Sequence, residues 1–163
     1  MKFIFFLCLL SPVALLAQDC QLIKGKDDIS GKPTLSTGFM DLPGATLSID
    51  VRSREIDFFF VLDSHAVKCL DEETEAVVMF EGGKQKTQFK NSGSLNCDGI
   101  FHIIFKNSAF TPSALTRLGA KKIVGIQITG SSFKPFALTL NAQQQVSLQN
   151  SINCVIREAK SVL

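Results

Sequence analysis

The sequence predicts a mainly β (α+β) domain: an antiparallel β-sandwich or barrel of about eight strands, with a short helix near 111–118 and an amphipathic helix at the C-terminus. Three observations predict it. Apolar residues recur with a two-residue rhythm through most of the chain. Turn signals such as Gly31-Lys32-Pro33, Leu42-Pro43-Gly44 and Gly82-Gly83 punctuate that rhythm. The period then lengthens to helical spacing twice, after Thr111 and after Asn141.

Each element has its own warrant. Leu47, Ile49 and Val51 alternate with Ser48 and Asp50, a half-buried strand. In 55–62, Ile56, Phe58, Phe60 and Leu62 share one face, and Phe59 and Val61 share the other, which predicts a strand covered on both sides. Residues 76–80 and 84–89 read as a hairpin turning at Gly82-Gly83. The second arm is polar, and Lys84, Lys86 and Lys90 suit a charge-protected edge. Residues 91–99 form a loop and 100–105 another buried strand. Thr111 is placed to cap the short helix, Pro112 suits its first turn, and Gly119 can end it. Residues 123–128 and 133–140 return to strand, with Gly125 marking a bulge or a close contact. From a cap at Asn141, Ala142, Val146, Gln149, Ile152, Val155 and Ala159 recur at helical spacing.

The N-terminus predicts export. Met1 and Lys2 precede an uncharged run from Phe3 to Leu10, then Ser11, Pro12 and Val13 to Ala17. That is a basic start, an apolar stretch and a small residue at a cut after Ala17. The apolar stretch is about 15 residues, short for a bilayer span, and Pro12 interrupts it. Residues 1–17 therefore read as a signal peptide and 18–163 as a single β-rich domain, secreted or periplasmic, with no membrane span in the mature chain. The net charge of +2 supplies no electrostatic argument for nucleic acid.

Cys8 leaves with the signal, and Cys20, Cys69, Cys97 and Cys154 remain for an oxidising compartment. Four cysteines allow three pairings. The preferred one is Cys69–Cys97, joining two loops around a hairpin, with Cys20–Cys154, tying the N-terminus to the last helix. Their wide spacing argues against a metal site, and no cofactor is expected.

Three segments carry a resemblance. Lys26-Asp27-Asp28-Ile29-Ser30-Gly31-Lys32 resembles a KDDFTGK opening, with Ser30 where Thr is usual. Residues 111–128, TPSALTRLGAKKIVGIQI, resemble a capped helix followed by an ITGIRI-like strand. Ser151-Ile152-Asn153-Cys154-Val155 resembles an INCI-type ending. In order along the chain, these are similar to a family of small exported bacterial proteins of unknown function. The resemblance implies export and a β-rich domain, and brings no catalytic residues with it.

Asp63-Ser64-His65 has the letters of a triad, but neighbours in one turn do not converge as a nucleophile–base–orienter line. His102, on an alternating strand, faces away from Phe101 and Ile103 as a hydrogen-bonded or solvent-facing side chain. Asp71-Glu72-Glu73 with Glu75 lacks the spacing and glycine of a calcium loop. Asp27 and Asp28 brace a turn more readily than they ligate a cation. The chain has no Trp and no Tyr, which weakens a sugar-stacking reading, and its 14 Phe point to a Phe-built core. The leading expectation is a non-catalytic exported domain binding a protein or cell-envelope partner or serving a structural envelope role. The alternatives are a carrier of a small apolar ligand in a Phe-lined pocket, and a hydrolase built on His65 or His102 with nearby carboxylates.

Overall fold

A computed structural model describes residues 20–63, 69–131 and 133–163. Among them are ten strands: β1 (Ile23–Lys26), β2 (Pro33–Ser36), β3 (Met40–Leu42), β4 (Ala45–Val51), β5 (Glu55–Leu62), β6 (Glu75–Phe80), β7 (Lys86–Lys90), β8 (Ile100–Lys106), β9 (Ile123–Thr129) and β10 (Phe136–Thr139). Two α-helices, α1 (Ser113–Ala120) and α2 (Ala142–Glu158), and a final 3-10 turn (Ala159–Val162) complete the described chain.

The strands form two antiparallel sheets. The larger runs β1-β2-β4-β5-β8, with β3 also paired to β4. The smaller runs β10-β9-β6-β7. Alternation explains how they pack. On β5 and β8 the cross-strand pairs Ile56–Phe105, Phe58–Ile103 and Phe60–Phe101 share the inner face. Ala76, Val78 and Phe80 of β6 and Ile126 and Ile128 of β9 are buried in the same core. Phe89 of β7 meets Phe105 of β8 edge-on at 5.7 Å, across the gap between the sheets. Phe58–Phe105 and Phe60–Phe101 are further edge-to-face pairs at 5.5 and 6.1 Å. Each fully buried Phe contributes roughly 1.5–3 kcal/mol, and these rings pack among the more numerous buried Leu and Ile side chains of the same core.

β2 and β3 share one edge of β4, and residue 37 bridges the break between them. Thr37 N–H donates to the Ile49 carbonyl, while Thr37 Oγ1 accepts from the Ile49 N–H at 2.9 Å. Gly38 follows at φ +68°, a left-handed conformation that a side chain disfavours. The kink turns Phe39 out of the sheet edge onto the solvent face.

α2 and the terminal 3-10 turn lie along the sheets, α2 touching β4 and β9 and the 3-10 turn touching β2. Asn141 caps α2 in a capping box with Gln144. Leu148, Ile152 and Val155 form its buried stripe.

Several sequence expectations are revised. β1, β2 and β3 lie outside the strands the sequence predicts, because each is only three or four residues long and β1 is exposed throughout, too little burial for an alternating rhythm to show. The short helix covers 113–120, not 111–118: Pro112 itself is the extended N-cap residue and Thr111 provides no cap. Gly119 lies inside that helix because α1 and α2 approach closely there. A Cβ on it would come within 2.6 Å of Asn153 Oδ1. Val146 is exposed and Leu148 takes its place in the stripe of α2. The last strand shortens to β10, and the second hairpin arm begins at Lys86. β5 is covered on its inner face only, since Phe59 and Val61 are half-exposed on the outer one. The expected close contact at Gly125 is present, where a Cβ would meet Met79 Cε at 2.9 Å, beside a register irregularity between Met79 and Phe80.

Candidate functional site

The outer face of the larger sheet carries the candidate site. Because alternate residues point outward, β4 presents Ser48 and Asp50, β5 presents Asp57 and Phe59, and β8 presents His102 and Ile104. Two cross-strand rows result, Ser48–Phe59–His102 and Asp50–Asp57–Ile104. With Phe39 and Arg52, the residues Ser48, Asp50, Asp57, Phe59 and His102 line a cleft of about 330 Å³.

The polar groups are held from below and beside. His102 Nδ1 lies 2.9 and 3.1 Å from the two Asp57 oxygens. These side chains are only 22% and 20% exposed. Phe59 packs edge-on to the imidazole at 5.1 Å and to Phe39 at 6.2 Å. Ser48, 3% exposed, donates to Asp50 Oδ2 at 2.7 Å. Burial pushes the Asp57 carboxyl above the ordinary carboxylate value. The hydrogen bond and charge of His102 oppose that, and the like charges of Asp50 and Glu55 reinforce it.

The stapled loops position His102. Cys69–Cys97 closes one bridge, and Leu70 and Asn96 pair backbone to backbone beside it. Buried Asn91 donates to the Asp71 and Gly93 carbonyls, and its Oδ1 accepts from the N–H groups of Gly93 and His102. Gly93 lies so close to the ring that a Cβ would come within 2.9 Å of His102 Cδ2.

Ser48, His102 and Asp57 have triad letters, yet Phe59 stands between the serine and the imidazole. Two strand spacings separate them, about 9.5 Å, far beyond the reach needed for proton transfer. The cleft sets an aromatic wall, Phe39 and Phe59, beside the facing carboxylates of Asp50 and Asp57.

The remaining sequence candidates have structural work. Cys20 pairs with Cys154, joining the start of the described chain to α2. Asp27 Oδ1 accepts from Ser30 N–H, Ser30 Oγ and Ile29 N–H, closing the β1–β2 turn, and those bonds lower its pKa, with the Ser30 N–H the largest cause. Asp71 and Thr74 hydrogen-bond each other in the turn before β6, and Glu73 pairs with Lys90 at 3.0 Å on the surface. Gly82 and Gly83 both take positive φ in the β6–β7 turn, and β7 is an edge strand. Ser64 and His65 lie outside the described residues, as does the expected signal segment. Among the described residues, no group of three or more His, Cys, Asp or Glu is placed to hold a metal ion. A larger groove of about 430 Å³ lies between Gln21 and α2, but its one charged side chain, Arg157, is turned onto the sulfurs of Cys20 and Cys154.

Phe39, Asp50, Asp57 and Ser48 were missed as site residues. Asp57 and Phe59 sit at outward positions of a strand read as doubly covered, and nothing local marks Phe39 as their neighbour. No family model, curated protein or solved structure matches the chain. Among the described residues, no helix is long and apolar enough to cross a membrane, and two intramolecular disulfides staple the fold.

Proposed function

We propose that this chain is an exported, non-catalytic domain, secreted or periplasmic, that docks a protein partner on the outer face of its larger sheet. One observation carries the reading: Phe39 is 67% exposed, yet its ring is braced against Phe59 beside a cleft of polar groups. An aromatic fixed on a solvent face, ringed by polar side chains, is the anatomy of an interface anchor. The kink at Thr37 and Gly38 that delivers Phe39 is held by two hydrogen bonds to Ile49. The disulfides favour an oxidising compartment, and the export-type N-terminus agrees with the resemblance to small exported bacterial proteins.

The test uses immobilised mature protein and a native extracellular or periplasmic extract. Wild type retains a saturable partner, and Phe39→Asp, folded by circular dichroism, loses it. Equal retention by the variant overturns the docking face. Turnover of a substrate that is abolished by Asp57→Asn overturns the non-catalytic reading.

A further inference from the structure

The cleft has an electrostatic imbalance. Asp50 and Asp57 stand directly opposite each other on β4 and β5. Like charges so placed repel unless something lies between them. Arg52 lines the cleft, but its guanidinium is engaged by Glu55 at 3.2 Å. Asp57 faces the His102 Nδ1 on one side, but among the described residues neither Asp50 nor Asp57 has a Lys or Arg within ion-pair distance, and Asp50 has no His either. Ser48 donates to Asp50 Oδ2, and among the described residues no donor reaches Asp50 Oδ1. Phe39 and Phe59 wall the same cleft, and aromatic faces attract cations.

We propose that the cleft receives a basic side chain, an arginine or a lysine, of the protein partner. This inference rests on the docking reading of the same face and adds the chemistry of what enters. The cation lies between the Asp50 and Asp57 carboxylates, relieving their repulsion, and its alkyl stem or guanidinium plane covers Phe39 and Phe59. Arginine fits best, because a planar fork can reach two carboxylates while stacking on a ring. Volume agrees: about 330 Å³ accommodates a side chain and not a folded element.

The probe is a five-residue peptide amide carrying two arginines, with a citrulline counterpart of equal shape and no charge. Both are titrated into ¹⁵N-labelled intact mature protein at low salt. The arginine peptide is expected to shift amides in 36–39, 48–50, 57–59 and 102 saturably, and the citrulline peptide to bind about tenfold more weakly. Asp50→Asn should weaken the arginine peptide about tenfold, and Phe39→Ala roughly threefold. Equal binding of the two peptides, shifts mapping elsewhere, or no saturable shift overturns the inference. Those outcomes leave intact the docking reading, which falls only if partner retention ignores Phe39→Asp. Circular dichroism of each variant separates lost binding from lost fold.

Discussion

The two disulfides are expected to stabilise the domain unequally, and loop length sets the order. Cys20 and Cys154 are 134 residues apart in sequence, and Cys69 and Cys97 are 28 apart. In the chain-entropy treatment, the first crosslink raises the free energy of the unfolded chain by about 5 kcal/mol and the second by about 3.6 kcal/mol. Intact Cys69–Cys97 shortens the path around the longer loop, but the dependence is logarithmic, so the first figure falls by only about 0.2 kcal/mol. The perturbations are the paired replacements Cys20→Ala with Cys154→Ala, and Cys69→Ala with Cys97→Ala, which leave no odd thiol. Urea unfolding is followed by far-ultraviolet circular dichroism, because the chain has no Trp and no Tyr to report by fluorescence. The first pair should cost about 1 kcal/mol more than the second, and should raise the urea slope more, since the freed unfolded chain exposes more surface. A larger cost for Cys69–Cys97 would refute the reasoning. It would mean that the loops around Asn91 and Asn96 need that bridge to hold native geometry, so that the native state and not the unfolded chain dominates.

Three further outcomes follow from particular contacts. Asn107 is buried and its Nδ2 donates to the Arg52 and Ala159 carbonyls, tying the β4–β5 turn to the C-terminus. Asn107→Ala should therefore cost about 1–3 kcal/mol in urea unfolding, and a change under about 0.5 kcal/mol would deny those bonds their role. Gly119→Val inserts a branched side chain where Asn153 and Ile156 already stand at 2.6 and 2.9 Å, and should lower stability by about 1–3 kcal/mol in thermal melts. An unchanged melting temperature would show that α1 is free to move away from α2. Asp57 has its carboxyl raised by burial, so the folded state holds that proton at a pH where the unfolded chain has released it. The contribution of Asp57 to stability thus declines as pH rises from the ordinary value of 3.8 through the raised folded value. Asp57→Asn should gain stability relative to wild type across that window, with Asp50, Glu55 and His102 left in place. A relative loss would show that the pairing with His102 outweighs burial.

The legible part of the fold was the part with two-sided contrast. β4, β5, β6, β8 and β9 each alternate strongly enough for the rhythm to show, and the cap at Asn141 marks α2 correctly. β1 is exposed at every position, so its strand character comes wholly from pairing with β2. The site was half legible. Alternation places His102 opposite Phe101, and the structure finds it on the outer face. Asp57 as its partner depends on the β5–β8 register, which turns and loops set at a distance.

What the amino-acid order determined by itself is local: which residues face a common side, where the chain turns and where the period becomes helical. Those properties arise from backbone geometry repeated over a few residues, and they sufficed for an antiparallel sandwich or barrel with a C-terminal helix; the division into two sheets came from the tertiary structure. What only tertiary structure decided is adjacency across the chain. Phe39 meets Phe59, and Asp57 meets both Asp50 and His102, through strand pairing between segments up to 45 residues apart. No short-range pattern encodes such a meeting, because its free energy exists only once both strands are already in place.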